Sequence, residues 1–321
     1  MVQPKLKTKF KYPSITRGFF IVSENYILYN VFMKKIFVVG SINVDLSISA
    51  DDLPKKGETI SGKDFHVSYG GKGANQAVAS KKLGGDVYMC GCVGDDAYGK
   101  EVVDSLNKLG INTEYIYKVD NEPTGTAIII LTNGDNRIIV DRGANAFLSK
   151  EQIDKFLEKA EPGDIYLTQL ECPSAVVGYG LERAKEKGMF VVLNPAPAKK
   201  EIVPYIKNCD LVTPNETELE FFGEDTFFKY KELKVIVTLG GNVYKIVQDN
   251  KEKQYPCIKV NAIDTVAAGD TLVGGLVAKL SKGSSLEDAA SFGSKAASIA
   301  CTRRGAQTSI PSEEEVNSYK G

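Results

Sequence analysis

The run NAIDTVAAGDTLVGGLVAKL, residues 261–280, joins a strand-like start to two alanines, a glycine and Asp270, and then to an apolar stretch patterned as a buried helix. If the helix starts near Ala268, the backbone N–H groups of Ala267, Ala268, Gly269 and Asp270 converge on one spot, and the small residues keep it open. That makes an anion hole with a carboxylate at its edge. Such a pair suits phosphoryl transfer: the carboxylate takes a proton from an attacking hydroxyl while the N–H groups steady the phosphoryl group. The competing reading is an aspartate that only caps the helix.

Four other short runs hold residues of similar use. GGKGANQA, Gly70 to Ala77, opens a helix with paired glycines that let backbone approach a ligand; it is neither a GxxxxGK[ST] loop nor a dinucleotide GxGxxG, and it could be a plain tight turn. NVD, Asn43 to Asp45, follows a strand and offers an amide and a carboxylate to two hydroxyls of a polyol, or a simple strand-end turn. PNETE, Pro214 to Glu218, spaces Asn215 and Glu218 three apart, which suits Mg²⁺ held largely through water and equally suits a capping box. VTLGG, Val237 to Gly241, ends a strand in a glycine turn that a flat base or a phosphate can approach, unless it is only a turn.

These runs need a scaffold that puts strand ends together. KIFVVGSI, DVYMCGCVG, DIYLTQL, FVVLNPAP, CDLVTPN and KVIVTLGG are apolar runs expected of strands buried on both faces. Helical stretches such as ANQAVASKKLG, YGKEVVDSLNKLG and SAVVGYGLERAKEKG separate most of them. The pattern predicts an α/β fold with a doubly wound, mostly parallel sheet flanked by helices, whose ligands bind beyond the carboxyl ends of the strands. Two segments, about 46–70 and 123–143, instead alternate as strands without helices, with TNGDNR as a hairpin turn. They predict a small β-sheet lid assembled from separate pieces of chain.

Composition fits a globular protein: 321 residues, 43% apolar and 25% charged. A net charge of −1 gives no global support to nucleic-acid binding, and no apolar run reaches the length of a membrane span. Six scattered cysteines without a CxxC pair read as reduced thiols of a cytoplasmic protein. The single histidine, His66, lies in a strand-like run and is expected to be structural. Residues 1–32 are basic and then aromatic, and Met33 opens the first strand, so the extension is expected to stand outside a single domain of residues 33–321.

From about Met33 to Pro311 the motifs together resemble the PfkB-type carbohydrate kinases. GGKGANQA and DTVAAGD are similar to the two signatures of that family, and NPAPA, PNETE and RRGAQTSIP are further matching pieces. The resemblance implies ATP-dependent phosphorylation of the terminal hydroxyl of D-ribose. Asp270 would be the base, with Ala267, Ala268 and Gly269 as the anion hole. Asn43, Asp45, Gly71, Lys72, Gly73, Asn75 and Glu171 would hold the sugar, and Asn215, Thr238, Gly240, Gly269 and Ser294 would lie along ATP. Glu218 would organise Mg²⁺ through water, and Asp264, Val266, Ala300, Arg303, Gly305 and Ser309 match a K⁺ site. A homodimer through the lid is implied as well. Two features depart from the family pattern. Val243 stands where a second glycine is expected after VTLGG, and residues 221–234 are short for a crossover helix. Both departures put nucleotide binding in question. A kinase for another sugar or a nucleoside, and a sugar-binding protein with weak or lost kinase activity, are the alternatives.

Overall fold

The computed structural model describes residues 33–320 apart from 133, 134 and 250. The expected extension, residues 1–32, lies outside the described residues.

In chain order the elements are β1 (Lys35–Val39), β2 (Asn43–Ser49), β3 (Lys63–Gly70), α1 (Lys72–Lys82), β4 (Asp86–Gly94), α2 (Ala97–Lys108), β5 (Asn112–Val119), β6 (Gly125–Thr132) and β7 (Asp135–Asp141). They continue with α3 (Lys150–Leu157), β8 (Ile165–Thr168), α4 (Ser174–Glu186), β9 (Phe190–Leu193), β10 (Leu211–Val212), α5 (Glu216–Phe222), α6 (Glu224–Phe228), β11 (Lys234–Leu239), β12 (Val243–Gln248) and β13 (Lys251–Pro256). Three helices close the chain: α7 (Ala268–Leu280), α8 (Leu286–Cys301) and α9 (Glu313–Ser318).

The main sheet runs β13-β12-β11-β10-β9-β8-β1-β4-β5, parallel except for β12 and β13 at one edge. Its strands are apolar on both faces because helices cover both. In β1, Ile36 and Val38 join a core shared with α1, α7 and α8, while Phe37 and Val39 join the core under α3 and α4. The chain leaves β1 toward β4 on one side and β8 on the other, which opens a crevice at the carboxyl ends of the strands.

Small residues bring the two site-bearing helices together. A Cβ on Gly274 of α7 would lie 2.3 Å from the Ala79 Cβ of α1, so only glycine allows this approach. A Cβ on Gly73 would lie 2.5 Å from the Gly40 carbonyl carbon, so the start of α1 also rests on the end of β1. The first turns of α1 and α7 therefore meet where β1 ends.

The second sheet has the order β3-β2-β6-β7. It is built from two separate pieces of chain, as its helix-free alternation suggested, and β2 begins at Asn43, somewhat earlier than the expected segment. Thr132 pairs with Asp135 at the end of the β6–β7 ladder, and the expected turn residues 133 and 134 lie outside the described residues.

Three strands escaped the sequence reading. β5 mixes polar residues with the Tyr115-Ile116-Tyr117 run at a sheet edge, and β12–β13 form an antiparallel hairpin whose outer strand is charged. The short crossover also closes without a long helix. α5 and α6 meet at Gly223 with φ 79°, and the Phe222 and Phe227 rings pack 5.5 Å apart, with Phe227 fully buried.

Candidate active site

Asp270 sits in the first turn of α7 and is buried. It does not cap its helix: the N-cap position is Ala267, in a left-handed conformation with φ 59°, and no side chain caps the turn. The carboxylate is held instead by α1. Its Oδ2 accepts from Asn75 Nδ2 at 3.1 Å and its Oδ1 from Gln76 Nε2 at 2.9 Å.

The left-handed Ala267 turns the chain so that the start of α7 faces a half-open hollow of about 230 Å³. A helix start leaves its first N–H groups without intrahelical acceptors. Thr271 N–H is bonded back to Ala267 O at 2.8 Å. Ala268 departs from the expected arrangement: its N–H donates to Thr265 O at 3.2 Å, which closes a turn and withdraws it from the hollow. Gly269 has open space where a side chain would project.

Lys72 enters the same hollow from the start of α1. The Asp270 carboxylate holds its ammonium above the ordinary lysine value, against the effect of burial and with help from Glu171 and Glu218. One cation thus stands among three carboxylates. Its backbone N–H donates to Glu171 Oε2 at 2.9 Å, and the Ser41 hydroxyl donates to the same oxygen.

Asn43, Asp45, Gly71 and Gly73 lie where β1 passes into β2 and α1 begins. Asn145 Nδ2 donates to Asn43 Oδ1 at 2.9 Å and to Ile42 O, while its Oδ1 accepts from Ile42 N–H. Among the described residues the Asn43 amide nitrogen has no hydrogen-bond partner. Asp45 lies against Gly70, where a Cβ would come 2.1 Å from Oδ2. Burial, reinforced by the charge of Glu171, pushes the Asp45 carboxyl up to about 6. A carboxylate and an amide with unspent hydrogen-bonding capacity suit vicinal hydroxyls.

On the opposite wall, Asn215 and Glu218 do form the capping box. Asn215 Oδ1 accepts from Glu218 N–H at 2.7 Å and Glu218 Oε2 accepts from Asn215 N–H at 2.8 Å. The cap and the site are compatible, because Glu218 keeps its second oxygen. Burial raises Glu218 against the opposing effects of the Asn215 N–H and the Lys72 charge. A hard divalent cation opposes that cost, and Glu218 beside Asp270 gives it oxygen donors. Among the described residues no group of three or more His, Cys, Asp or Glu side chains is placed to cage a metal. The donor set therefore fits Mg²⁺ that keeps most of its water.

Thr238, next to last in β11, forms a bridge with Asn215. Gly240 takes φ 63° with open space around it, and the turn continues through Gly241 and Asn242. Val243 starts β12, paired with Leu239 and Pro256, and takes no positive φ, so the backbone strain that a β-branched residue would meet there is absent. Ser294 is not in the wall of the hollow. Its hydroxyl donates to Cys257 Sγ at 3.5 Å, and Cys257 N–H donates to Asn242 O at 2.8 Å, which sets it beside the glycine turn.

Of the expected K⁺ residues, Asp264, Val266 and Gly305 come together. Asp264 Oδ1 accepts from Val266 N–H and Oδ2 from Gly305 N–H, each at 2.9 Å. Ala300 O accepts from Arg303 N–H, the Arg303 side chain pairs with Glu315, and the Ser309 hydroxyl donates to Ala306 O. The Asp264 carboxylate orders these loops, so a K⁺ ion here would rely on backbone oxygens.

Several polar residues of the site received no role from sequence: Ser41, Asn145, Gln169 and Thr213, together with Gln76 and Asn194 inside motifs already quoted. Gln169 and Thr213 follow strand ends, the one signal that could have marked them. His66 lies exposed in β3, away from these groups.

The pfkB family carbohydrate kinase profile matches residues 33–313. A ribokinase of Haemophilus influenzae is 38% identical over 296 residues, covering 88% of this chain and 97% of that one. A deoxyribokinase of Salmonella typhi is 36% identical over 299 residues, covering 88% and 98%. The structure of Arabidopsis thaliana ribokinase complexed with ribose and ATP superposes with a TM-score of 0.78 at 31% identity, covering 89% of this chain and 98% of that one. A match of this extent, over a chain whose signature runs converge on one crevice, makes this protein a member of the pfkB family of carbohydrate kinases.

Proposed function

We propose that the chain phosphorylates the terminal 5-hydroxyl of D-ribose with ATP, giving ribose 5-phosphate and ADP. The observation that carries this reading is the Asp270 carboxylate, fixed by two amides beside the open start of α7 and facing Lys72. In this reading the sugar lies against Asn43, Asp45 and Glu171, with its terminal hydroxyl at Asp270. The hydroxyl oxygen attacks the terminal phosphorus as its proton passes to Asp270. The bond from that phosphorus to the bridging oxygen breaks, and ADP leaves with the electron pair. Lys72 and the α7 N–H groups offset the negative charge that gathers in transfer. The nucleotide runs from Ala267–Gly269 past Asn215 and Thr238 to Gly240 and Ser294. Mg²⁺, held by Glu218 through water, would supply further charge neutralisation, and K⁺ near Asp264 would steady the loop before α7.

Residues 33–321 act in this reading as one kinase domain with the β2-β3-β6-β7 sheet as its lid. Ile128, Ile138, Ile139 and Val140 are exposed on that sheet, which supports a homodimer formed there. Six unpaired cysteines suit a cytoplasmic enzyme.

ADP release with Mg²⁺, K⁺ and ATP tests the reading. Release that depends on D-ribose supports it. The deoxyribokinase relative makes 2-deoxyribose the second substrate to try, followed by other sugars and nucleosides. Sugar binding without ADP release would mark a binding protein and refute the kinase reading.

A further inference from the structure

We infer that Gln76 is a positioning residue for Asp270, and that a chain of buried amides running to Thr213 and Gln169 forces its N–H toward the base. The inference rests on the proposed role of Asp270.

Gln76 and Gln169 are buried almost completely. The orientation of each amide follows from its neighbours. Thr213 O can only accept, so Asn194 must present Nδ2 to it, at 3.0 Å. Asn194 Oδ1 then faces Gln76 and must accept, so Gln76 presents Nε2, also at 3.0 Å. The second hydrogen of that nitrogen is left for Asp270 Oδ1, at 2.9 Å. At the other end Gln169 Nε2 donates to Gln76 Oε1 at 2.6 Å, which agrees with the same orientation. A flipped Gln76 would aim its oxygen at both Asn194 Oδ1 and the carboxylate, and its nitrogen at a donor.

Space for this chain comes from Gly40, where a Cβ would lie 2.1 Å from Gln169 Oε1. That oxygen, like the Thr213 hydroxyl at the other end of the chain, is buried without a partner among the described residues. The unpaired acceptor is tolerated while Gln169 spends its nitrogen on Gln76, as expected of a contact kept for geometry rather than stability. Asn75 holds the other carboxylate oxygen, so two amides from adjacent residues of α1 fix the plane of Asp270. Packing alone would not require a glutamine here.

The test compares Gln76→Met, Gln76→Glu and Gln169→Met with the wild-type chain. The readouts are kcat at saturating sugar and ATP, sugar Kd by calorimetry, and thermal midpoint. Wild-type turnover scores the kinase reading, and the ratio of variant to wild type, on whichever sugar is turned over, scores this inference. Gln76→Met is expected to lower kcat about 10- to 100-fold, as loss of an outer orienting partner does, with sugar Kd little changed. Gln169→Met is expected to act in the same direction more weakly, and it keeps the inference testable if Gln76→Met does not fold. In Gln76→Glu the introduced carboxyl repels Asp270 when ionised and donates to it when protonated. Its kcat relative to wild type should therefore rise as pH falls from about 8 to about 6. A purely structural role predicts lower thermal midpoints with unchanged kcat per folded site. Wild-type kcat in the folded Gln76→Met or Gln169→Met variant, a Gln76→Glu profile parallel to wild type, or a chain that turns over no sugar overturns the inference.

Discussion

The two sides of the crevice are built differently. On the side proposed to hold the acceptor, Asp270, Asn75, Gln76 and Asn43 are buried, and each has at least one partner from a different part of the chain. On the side proposed to hold the phosphoryl donor, Gly240 and Gly241 are exposed with open space around them, and Ser294 is set beside the glycine turn through Cys257. The difference is between a site assembled before substrate arrives and one shaped to admit it. A proton acceptor loses effectiveness when it is misplaced by a fraction of an ångström, so its position is over-determined. In the proposed reading the glycine turn gives room to a nucleotide, which carries its own charge and flat surface.

That comparison can be broken on the acceptor side first. Asp270→Asn keeps the shape and one acceptor oxygen but cannot take a proton. It is expected to lower kcat by about 10²–10⁴ while leaving sugar Kd nearly unchanged in calorimetry. Equal losses in kcat and sugar binding would mean that Asp270 holds the sugar rather than activating it. Lys72→Met removes the cation shared by Asp270, Glu171 and Glu218. A fall in kcat on the order of 10²–10³ is expected in steady-state assays, exceeding any change in sugar KM.

Asp45 gives a pH test of the sugar side. Its carboxyl titrates near 6, raised by burial and then by Glu171. If the ionised form accepts from a sugar hydroxyl, sugar KM rises as pH falls below that value, by about tenfold per unit at most. Asp45→Asn should flatten this dependence in KM profiles. The stability sign is the opposite one. The folded value lies above the ordinary carboxyl value, so the protonated form favours the fold, and that contribution is lost as pH rises through about 6. Asp45→Asn should therefore raise the thermal midpoint at alkaline pH more than in acid.

Smaller effects sharpen the donor side. Replacing K⁺ by Na⁺ is expected to lower kcat several-fold, and Asp264→Asn should remove the difference between the ions. Val243→Gly is expected to leave ATP KM unchanged and to cost about 1 kcal/mol in denaturant unfolding, because Val243 packs in a strand. A tighter ATP KM in that variant would restore Val243 as a defect of the nucleotide site.

The fold and the signature residues were largely legible in the sequence. Apolar runs broken by glycine-ended helices gave the parallel sheet, because strands covered on both faces must be apolar throughout. β5 and the β12–β13 hairpin were missed because edge strands mix polar and apolar residues and lack that signal. Asp270 stood out through its small neighbours, since a helix start with free N–H groups must be kept clear. The short run at 221–234 was legible only as a deficit, and Gly223 with the packed Phe222 and Phe227 rings supplied the solution.

What the sequence determined by itself was local: where helices start, which strands are buried, and which runs carry carboxylates and glycines. Only the tertiary structure decided whether Asp270 caps α7 or is held by α1, and that the amides of Gln76, Asn194 and Gln169 form one chain. Hydrogen bonds between residues about 100 to 200 positions apart leave no periodic trace in the sequence. Their partners are chosen by the close approach of α1 to α7 and to β1, which Gly274, Gly73 and Gly40 permit by having no side chain.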